Sequence, residues 1–499
     1  MSFVKGSPFV ELSGGTTSET GTTDSRTVDI LLPTLGVGIA GTDWQRAQIE
    51  AIKTRRSPVT PTLDGDLAGR PDPFAMAFST LGPIENPILT TDFLLVRTED
   101  YQGRDDGRPR QLRDVLGDSK YYLAALADTG ENPELFDIGS ELGDLEGRLV
   151  RISYPEVGQQ EAKRGAELYA VAQNLRRNDF PASVDHVVPL NVVLKIKGAI
   201  HAAAEQFPFP SVGALGGEPV RVAVIDTGVE ASGRTDGWLT GVETPANGDP
   251  LDVFPMAPAR PDHLLDFAAG HGTFVAGIIQ QISPDAIIDV YRAIDSDGIG
   301  SEVEVAKAMV RAARNGATVI NLSLGTNTLD GRPPLALSVA LEILHEKFPL
   351  VVVVAAAGNS GTDLEAWPAA FKHVIAVAAT DADGAPARWS NRGQWIDFCT
   401  VGEGVVSTFV PGTQPDDPDG SKGDFFGPET PWGVGTGTSF AAPQVAGAIA
   451  RLVQQGMTDS GEPITSAQDA VAYLRHVGIH HPDFGYRLTL LKGTHHHTP

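Results

Sequence analysis

Arg221-Val222-Ala223-Val224-Ile225-Asp226-Thr227-Gly228 is the stretch from which the fold follows. Residues 222–225 are apolar without interruption, the pattern of a strand buried on both faces in a parallel sheet. Asp226 closes the run, and Thr227-Gly228 lets the chain turn sharply at the strand's carboxyl end. Outward from this stretch, apolar strands at 287–291, 318–322, 350–355 and 374–378 alternate with helical segments at 274–281, 303–315, 335–347 and 440–453. Such alternation predicts an α/β sandwich with a largely parallel sheet and helices on both faces. Open sheets of this kind place their ligands outside the carboxyl ends of the strands, which is where Asp226 sits.

Two further Gly-flanked segments supply the groups a carboxylate there would serve: Gly270-His271-Gly272-Thr273, opening an apolar helix, and Gly437-Thr438-Ser439-Phe440-Ala441-Ala442-Pro443, opening another. A hydroxyl becomes nucleophilic beside an imidazole, and a carboxylate holds that imidazole in one tautomer. A serine at a helix N-terminus also lies beside unpaired backbone N–H groups that can receive negative charge. A fourth segment, Val351 through Ala357 followed by Gly358-Asn359-Ser360, is a buried strand ending at the same sheet edge, and Asn359 can donate to an oxyanion there. Each segment alone has a plainer meaning. Asp-Thr-Gly is often a turn, and in aspartic peptidases it carries the catalytic acid. A lone helix-opening His is often a cap or core residue, Gly-Thr-Ser an N-cap, and Gly-Asn a turn. The catalytic reading accounts for all four in this order.

Together these segments resemble the subtilisin-like serine proteases (subtilases) over about residues 218–455. The resemblance implies that His271 takes the proton of Ser439, that Asp226 orients the ring, and that Asn359 with the Ser439 backbone N–H forms the oxyanion hole. It also implies two substrate-pairing edges, one from Asn321-Leu322-Ser323-Leu324-Gly325 and one from Asp297-Gly298-Ile299-Gly300. Both segments also read as ordinary turns after strands. Gly358 joins them in lining the cleft. Where subtilases place a Gly before a Tyr/Trp-Pro pair on the floor of the specificity pocket, this chain has Ala366 before Trp367-Pro368, so a small or medium apolar residue is expected before the cleaved bond. Residues 280–291 lack the extra loop that holds calcium in many secreted members, and no metal or other cofactor is expected. Phe440 replaces a Met common in the family, so oxidation there should not inactivate, and its bulk is expected to crowd the leaving-group side.

The chain has 499 residues, 41% hydrophobic, enough for two or three domains around a large core. Its net charge of −25 argues against nucleic acid and anionic membranes and favours soluble, cationic partners, while the resemblance implies protein or peptide substrates. No stretch has the length of a membrane span, and the run 28–40 lacks a basic start and is broken by Pro33, so no signal peptide is expected and cytoplasmic residence is the simplest reading, alongside export without a cleaved signal. Cys399 stands alone, which excludes an intramolecular disulfide, and reads as a small buried hydrophobe. Asp416, Asp417 and Asp419 read as a solvated loop rather than a metal site. His480-His481 and His495-His496-His497 could bind a transition metal, though a terminal His tract is often incidental.

The expected organisation is a mobile segment 1–25, an N-terminal α+β domain 26–195, a peptidase domain 196–455 and a C-terminal appendage 456–499 ending in a strand-like run 486–491. Pro-rich residues 55–85 read as extended, and strands at 93–96, 149–152 and 182–189 surround a helix at 161–177. Helix followed by a Val-rich strand is similar to the end of a subtilase propeptide, which implies an intramolecular inhibitor; an unrelated accessory or partner-binding module is the alternative. Three functions stay open: a general serine endopeptidase, a maturation protease whose N-terminal domain selects one partner, and a catalytically silent peptide-binding relative.

Overall fold

A computed structural model describes residues 78–81, 88–102, 112, 115, 136–137, 145–153, 161–190, 196–198, 217–230, 234–240, 242–243, 264–296, 298–416, 422–427 and 431–493. The expected mobile segment 1–25, the run 28–40, the Pro-rich stretch apart from 78–81, the junction 191–195, Asp297, Asp417, Asp419 and His495–His497 lie outside the described residues.

The opening stretch forms strand Arg221–Asp226, third from one edge of a nine-stranded sheet. In spatial order the strands are Ile479–His481, Gly485–Arg487, Phe398–Val401, Val374–Thr380, Val352–Ala356, Val319–Leu322, Arg221–Asp226, Ile287–Arg292 and Val242–Glu243. Neighbours pair in parallel throughout except at the edge, where Ile479–His481 runs antiparallel to Gly485–Arg487. From Arg221–Asp226 the chain passes through edge strand Val242–Glu243 to Ile287–Arg292 on one side and returns to Val319–Leu322 on the other. The strand order therefore reverses beside Asp226, and such reversals open a crevice at the carboxyl ends.

Strict alternation along each strand divides the interior into two cores. Val222, Val224, Val319, Val352 and Val354 face helices His271–Ile282, Thr438–Gln455 and Ala467–Val477. Ala223, Ile225, Ile320, Leu322 and Val353 face helices Glu302–Arg314 and Leu335–Lys347. This is the three-layer α/β sandwich expected from the sequence. The strand expected from 350 begins at Val352, because Leu350 follows the turn after the helix and stands 68% exposed. The strand expected over 486–491 is shorter, Gly485–Arg487, and joins the main sheet.

The described N-terminal residues form an antiparallel sheet. It runs from Ala182–Pro189 through Ile88–Arg97 and Leu149–Ser153 to Phe136–Asp137, with Phe78–Leu81 also pairing to Ile88–Arg97. Helix Glu161–Arg177 lies on one face, where Leu94, Val96, Val150 and Ile152 meet Leu168, Ala172 and Leu175. On the opposite face Leu95, Leu149 and Val188 belong to the same buried cluster as Val303, Ala306, Ala336 and Ala340. Ion pairs ring this contact: Arg97 grips Glu342 through both guanidinium ends at 3.0 and 2.5 Å, and Arg176 reaches Asp330 at 2.8 Å. Such partly exposed pairs each contribute about 0–1 kcal/mol, so the apolar contact dominates the attachment.

Candidate active site

Asp226 ends its strand fully buried, and its Oδ1 accepts from the Thr227 backbone N–H at 2.7 Å. His271 opens helix His271–Ile282, with its Nδ1 at 2.8 and 3.0 Å from the two carboxylate oxygens. A carboxylate only accepts hydrogen bonds, so Nδ1 donates the proton of this contact. Nε2 is buried and makes no hydrogen bond among the described residues. Close approach of helix to strand depends on Gly272: a Cβ there would lie 2.2 Å from the carbonyl oxygen of Gly228. The Gly272 N–H donates to Thr227 Oγ1 at 3.1 Å, so both residues that follow Asp226 and His271 in the motifs lock the two elements together.

Ser439 is the second residue of helix Thr438–Gln455, and Phe440 after it packs its ring 5.4 Å from the His271 ring. Phe440 is fully buried and also meets Phe274 at 4.6 Å, which corrects the expectation that it crowds the leaving-group side; its aromatic face is more stable in the core between two rings. The Ser439 Oγ donates to the Ser323 carbonyl at 3.0 Å, while Ser323 Oγ donates to the Ser439 carbonyl at 2.8 Å. Asn321 in turn donates to Ser323 Oγ at 3.0 Å. The nucleophile candidate is thus tied to the loop after the neighbouring strand, across the crevice from Asp226.

Asn359 reaches the same place from strand Val352–Ala356. Its Oδ1 accepts from both the backbone N–H and the hydroxyl of Thr438, each at 2.9 Å, which sets the carboxamide orientation and turns Nδ2 away from Thr438. Thr438 Oγ1 also accepts from the Gly358 N–H at 3.1 Å. Ala366 is buried, and a Cβ built on Gly358 would lie 3.6 Å from its methyl, so the two are direct neighbours. Thr326 and Trp367 exchange backbone hydrogen bonds at 2.8 Å, holding that wall against the Ser323–Gly325 loop. Sequence reasoning missed Thr438, which it quoted without a role, and Asn391 and Glu302, which no motif flags.

The two expected substrate-pairing edges are brought face to face, and a strand of this chain lies between them. Ile299–Ser301 pairs antiparallel with Val187–Pro189, and Leu190 N–H donates to the Gly298 carbonyl at 2.9 Å. On the other side Gly325 N–H donates to the Pro189 carbonyl at 3.1 Å, and Leu190 bridges Leu324 in antiparallel fashion. Beneath this strand Glu302, fully buried in the first turn of its helix, accepts from the His186 backbone N–H at 3.0 Å and contacts its ring Nδ1 at 2.9 Å. The other Glu302 oxygen accepts from the Ala336 N–H at 2.9 Å.

Cys399 is buried in strand Phe398–Val401, and burial pushes its thiol up to about 12. A thiol that stays protonated at neutral pH is no nucleophile. Among the described residues no group of three or more His, Cys, Asp or Glu is arranged to hold a metal ion, and no helix is long and apolar enough to cross a membrane.

The carboxyl edge of the parallel sheet carries a buried carboxylate–imidazole pair and a helix-opening serine, and among the described residues no hydrogen bond joins His271 Nε2 to the Ser439 hydroxyl, which donates to Ser323 instead. A sequence profile of the subtilase family matches residues 217–479. The chain belongs to the subtilase family of subtilisin-like serine endopeptidases. It is 34% identical over 252 residues to the thermophilic serine proteinase of Bacillus sp. (strain AK1), covering 47% of this chain and 52% of that protein. It is 30% identical over 262 residues to thermitase of Thermoactinomyces vulgaris, covering 49% of this chain and 78% of that one. The chain therefore spans about half the length of the first relative and about three-quarters of the second. A solved lanthipeptide protease aligns at 26% identity over 55% of this chain and 86% of its own, with a TM-score of 0.42.

Proposed function

We propose that this chain hydrolyses peptide bonds through an acyl-enzyme on Ser439. His271 Nε2 takes the Ser439 proton as Oγ attacks the peptide carbonyl, and Asp226 holds the ring and offsets its positive charge. The Asn359 amide and the Ser439 backbone N–H receive the oxyanion. His271 then gives its proton to the leaving amine, and water, activated by the same ring, releases the acyl group. The observation that carries this reading is the contact of His271 Nδ1 with both Asp226 oxygens, at 2.8 and 3.0 Å, at the sheet reversal. Thr438 supports the role of Asn359 by taking up its carbonyl end. The buried methyl of Ala366 supports a preference for small or medium apolar residues before the scissile bond; a peptide-library profile led by Arg or Lys would overturn that preference.

We infer further that residues 26–195 act as an intramolecular inhibitor of residues 196–455. Support comes from the ladder that strand Ala182–Pro189 makes between Ile299–Ser301 and the Ser323–Gly325 loop, which is how an extended peptide adds to exposed strand edges. The strand runs toward Ser323, whose carbonyl accepts the Ser439 hydroxyl. Labelling with a fluorophosphonate tests both readings. Wild type and a chain lacking residues 1–190 should label, the truncated one faster, and Ser439→Ala should not. Label retained in Ser439→Ala defeats the nucleophile assignment; equal rates in the two active forms defeat the inhibitor.

A further inference from the structure

We propose that Asn391 is a positioning residue for the oxyanion-binding amide. This inference rests on the proposed role of Asn359. Asn391 is 1% exposed and lies eleven residues past the end of strand Val374–Thr380, outside every recognised motif. Its carboxamide spans the loop that carries Asn359. Nδ2 donates to the Ala357 carbonyl at 2.9 Å, and Oδ1 accepts from the Ser360 N–H at 3.0 Å and from the Thr362 N–H at 3.4 Å. Its own backbone N–H donates to the Gly358 carbonyl at 2.9 Å. One side chain therefore holds the loop on both sides of Asn359, at positions two before, one after and three after it.

The loop is built to admit this clamp. Gly358 has φ +102°, a left-handed backbone that glycine adopts without strain, and a Cβ there would stand 2.6 Å from Asn391 Nδ2. The glycine is thus required by the approach of Asn391 as well as by the turn. Gly361 N–H donates to the Trp389 carbonyl at 2.8 Å and Arg392 N–H to the Thr362 carbonyl at 3.0 Å, so residues 389–392 back the loop along its length. Thr438 meets Asn359 from the nucleophile's side, and Asn391 fixes the loop from behind. An oxyanion donor misplaced by a fraction of an ångström loses much of its value, because the charge it serves exists only in the transition state.

The test compares full-length wild type, Asn391→Ala, Asn359→Ala and the double variant on a peptide anilide. Asn391→Ala should lower kcat at least tenfold with KM changed less than twofold. In the Asn359→Ala background the same substitution should change kcat less than twofold, because the amide it positions is gone. A residue that served folding alone would lower both backgrounds equally, and that result overturns the proposal, as does an unchanged kcat. Asn391→Ser, able to accept from N–H groups but too short to span the loop, should show the same kcat loss and covers an alanine variant that does not fold. Should full-length wild type fail to turn over, as the inferred inhibition by its own N-terminal strand allows, hydrogen exchange reads the clamp directly. Exchange within residues 357–362 should rise at least tenfold in Asn391→Ala or Asn391→Ser, and exchange at the wild-type rate would refute it.

Discussion

Asn359 places its carbonyl oxygen on Thr438, a partner that was invisible in a Gly-Asn dipeptide. In the proposed mechanism, removing the donor with Asn359→Ala keeps the fold and lowers kcat by about 10²–10³, a magnitude measured on an enzyme of this same family. Near-normal turnover of a peptide substrate would count against the assignment. Cys399 gives a second expectation. Burial holds its thiol protonated up to about 12, so native protein at pH 8 should resist maleimide while urea-unfolded protein reacts fully. The sign for stability follows. An unfolded cysteine ionises near pH ~8.5, so Cys399 contributes its full stability below that pH. Above it the contribution falls by about 1.4 kcal/mol per pH unit until the folded thiol itself ionises. Cys399→Ala should flatten the fall in melting temperature between pH 8.5 and 10. Phe440, with no sulfur to oxidise, should leave activity unaffected by mild peroxide at that position.

At the scale of the elements, glycines decide how closely helix and strand approach. Gly272 lets helix His271–Ile282 approach the end of strand Arg221–Asp226, and its Cβ would meet a backbone oxygen that no rotamer change can move. Gly272→Ala is therefore expected to part His271 from Asp226 and to cost about 10²-fold in kcat, since displacements of about 1 Å suffice for that loss. A crystal structure of the variant retaining the 2.8 Å contact would contradict this account. Much of this scale was legible beforehand. Helices 161–177 and 335–347 and strand 182–189 fall at the expected bounds, because proline and turn residues (Asn178-Asp179, Pro181, Pro334, Pro349) mark their ends. The hairpin of Ile479–His481 with Gly485–Arg487 was not foreseen. Its residues are short, polar and half-exposed, and only pairing with Phe398–Val401 makes Gly485–Arg487 part of the sheet.

At the scale of the whole molecule, the N-terminal sheet and the catalytic sheet share an apolar cluster and a strand ladder. Glu302 anchors that junction: a fully buried carboxylate accepting from one N–H of each partner, His186 and Ala336, and contacting the His186 ring. Stripping its acceptors leaves buried donors unsatisfied, at about 1–3 kcal/mol each. If the N-terminal unit restrains the enzyme, Glu302→Ala should raise the fluorophosphonate labelling rate of the full chain toward that of the form lacking residues 1–190. A labelling rate equal to wild type, with the truncated form faster, would show that the junction is held elsewhere.

The sequence by itself determined the class of the fold and supplied the candidate reactive residues, because strand periodicity, glycine turns and the order of four short motifs are local properties of the chain. It also determined that a helix and a Val-rich strand precede the peptidase region. Tertiary structure alone decided that this strand lies between Ile299–Ser301 and Leu324, that Phe440 turns into the core, and that Thr438 and Asn391 grip the Asn359 loop from opposite sides. Those contacts join residues from about 30 to well over 100 positions apart. Packing chooses such partners by shape and hydrogen-bond need, and neither quantity is written in the neighbours of a residue along the chain.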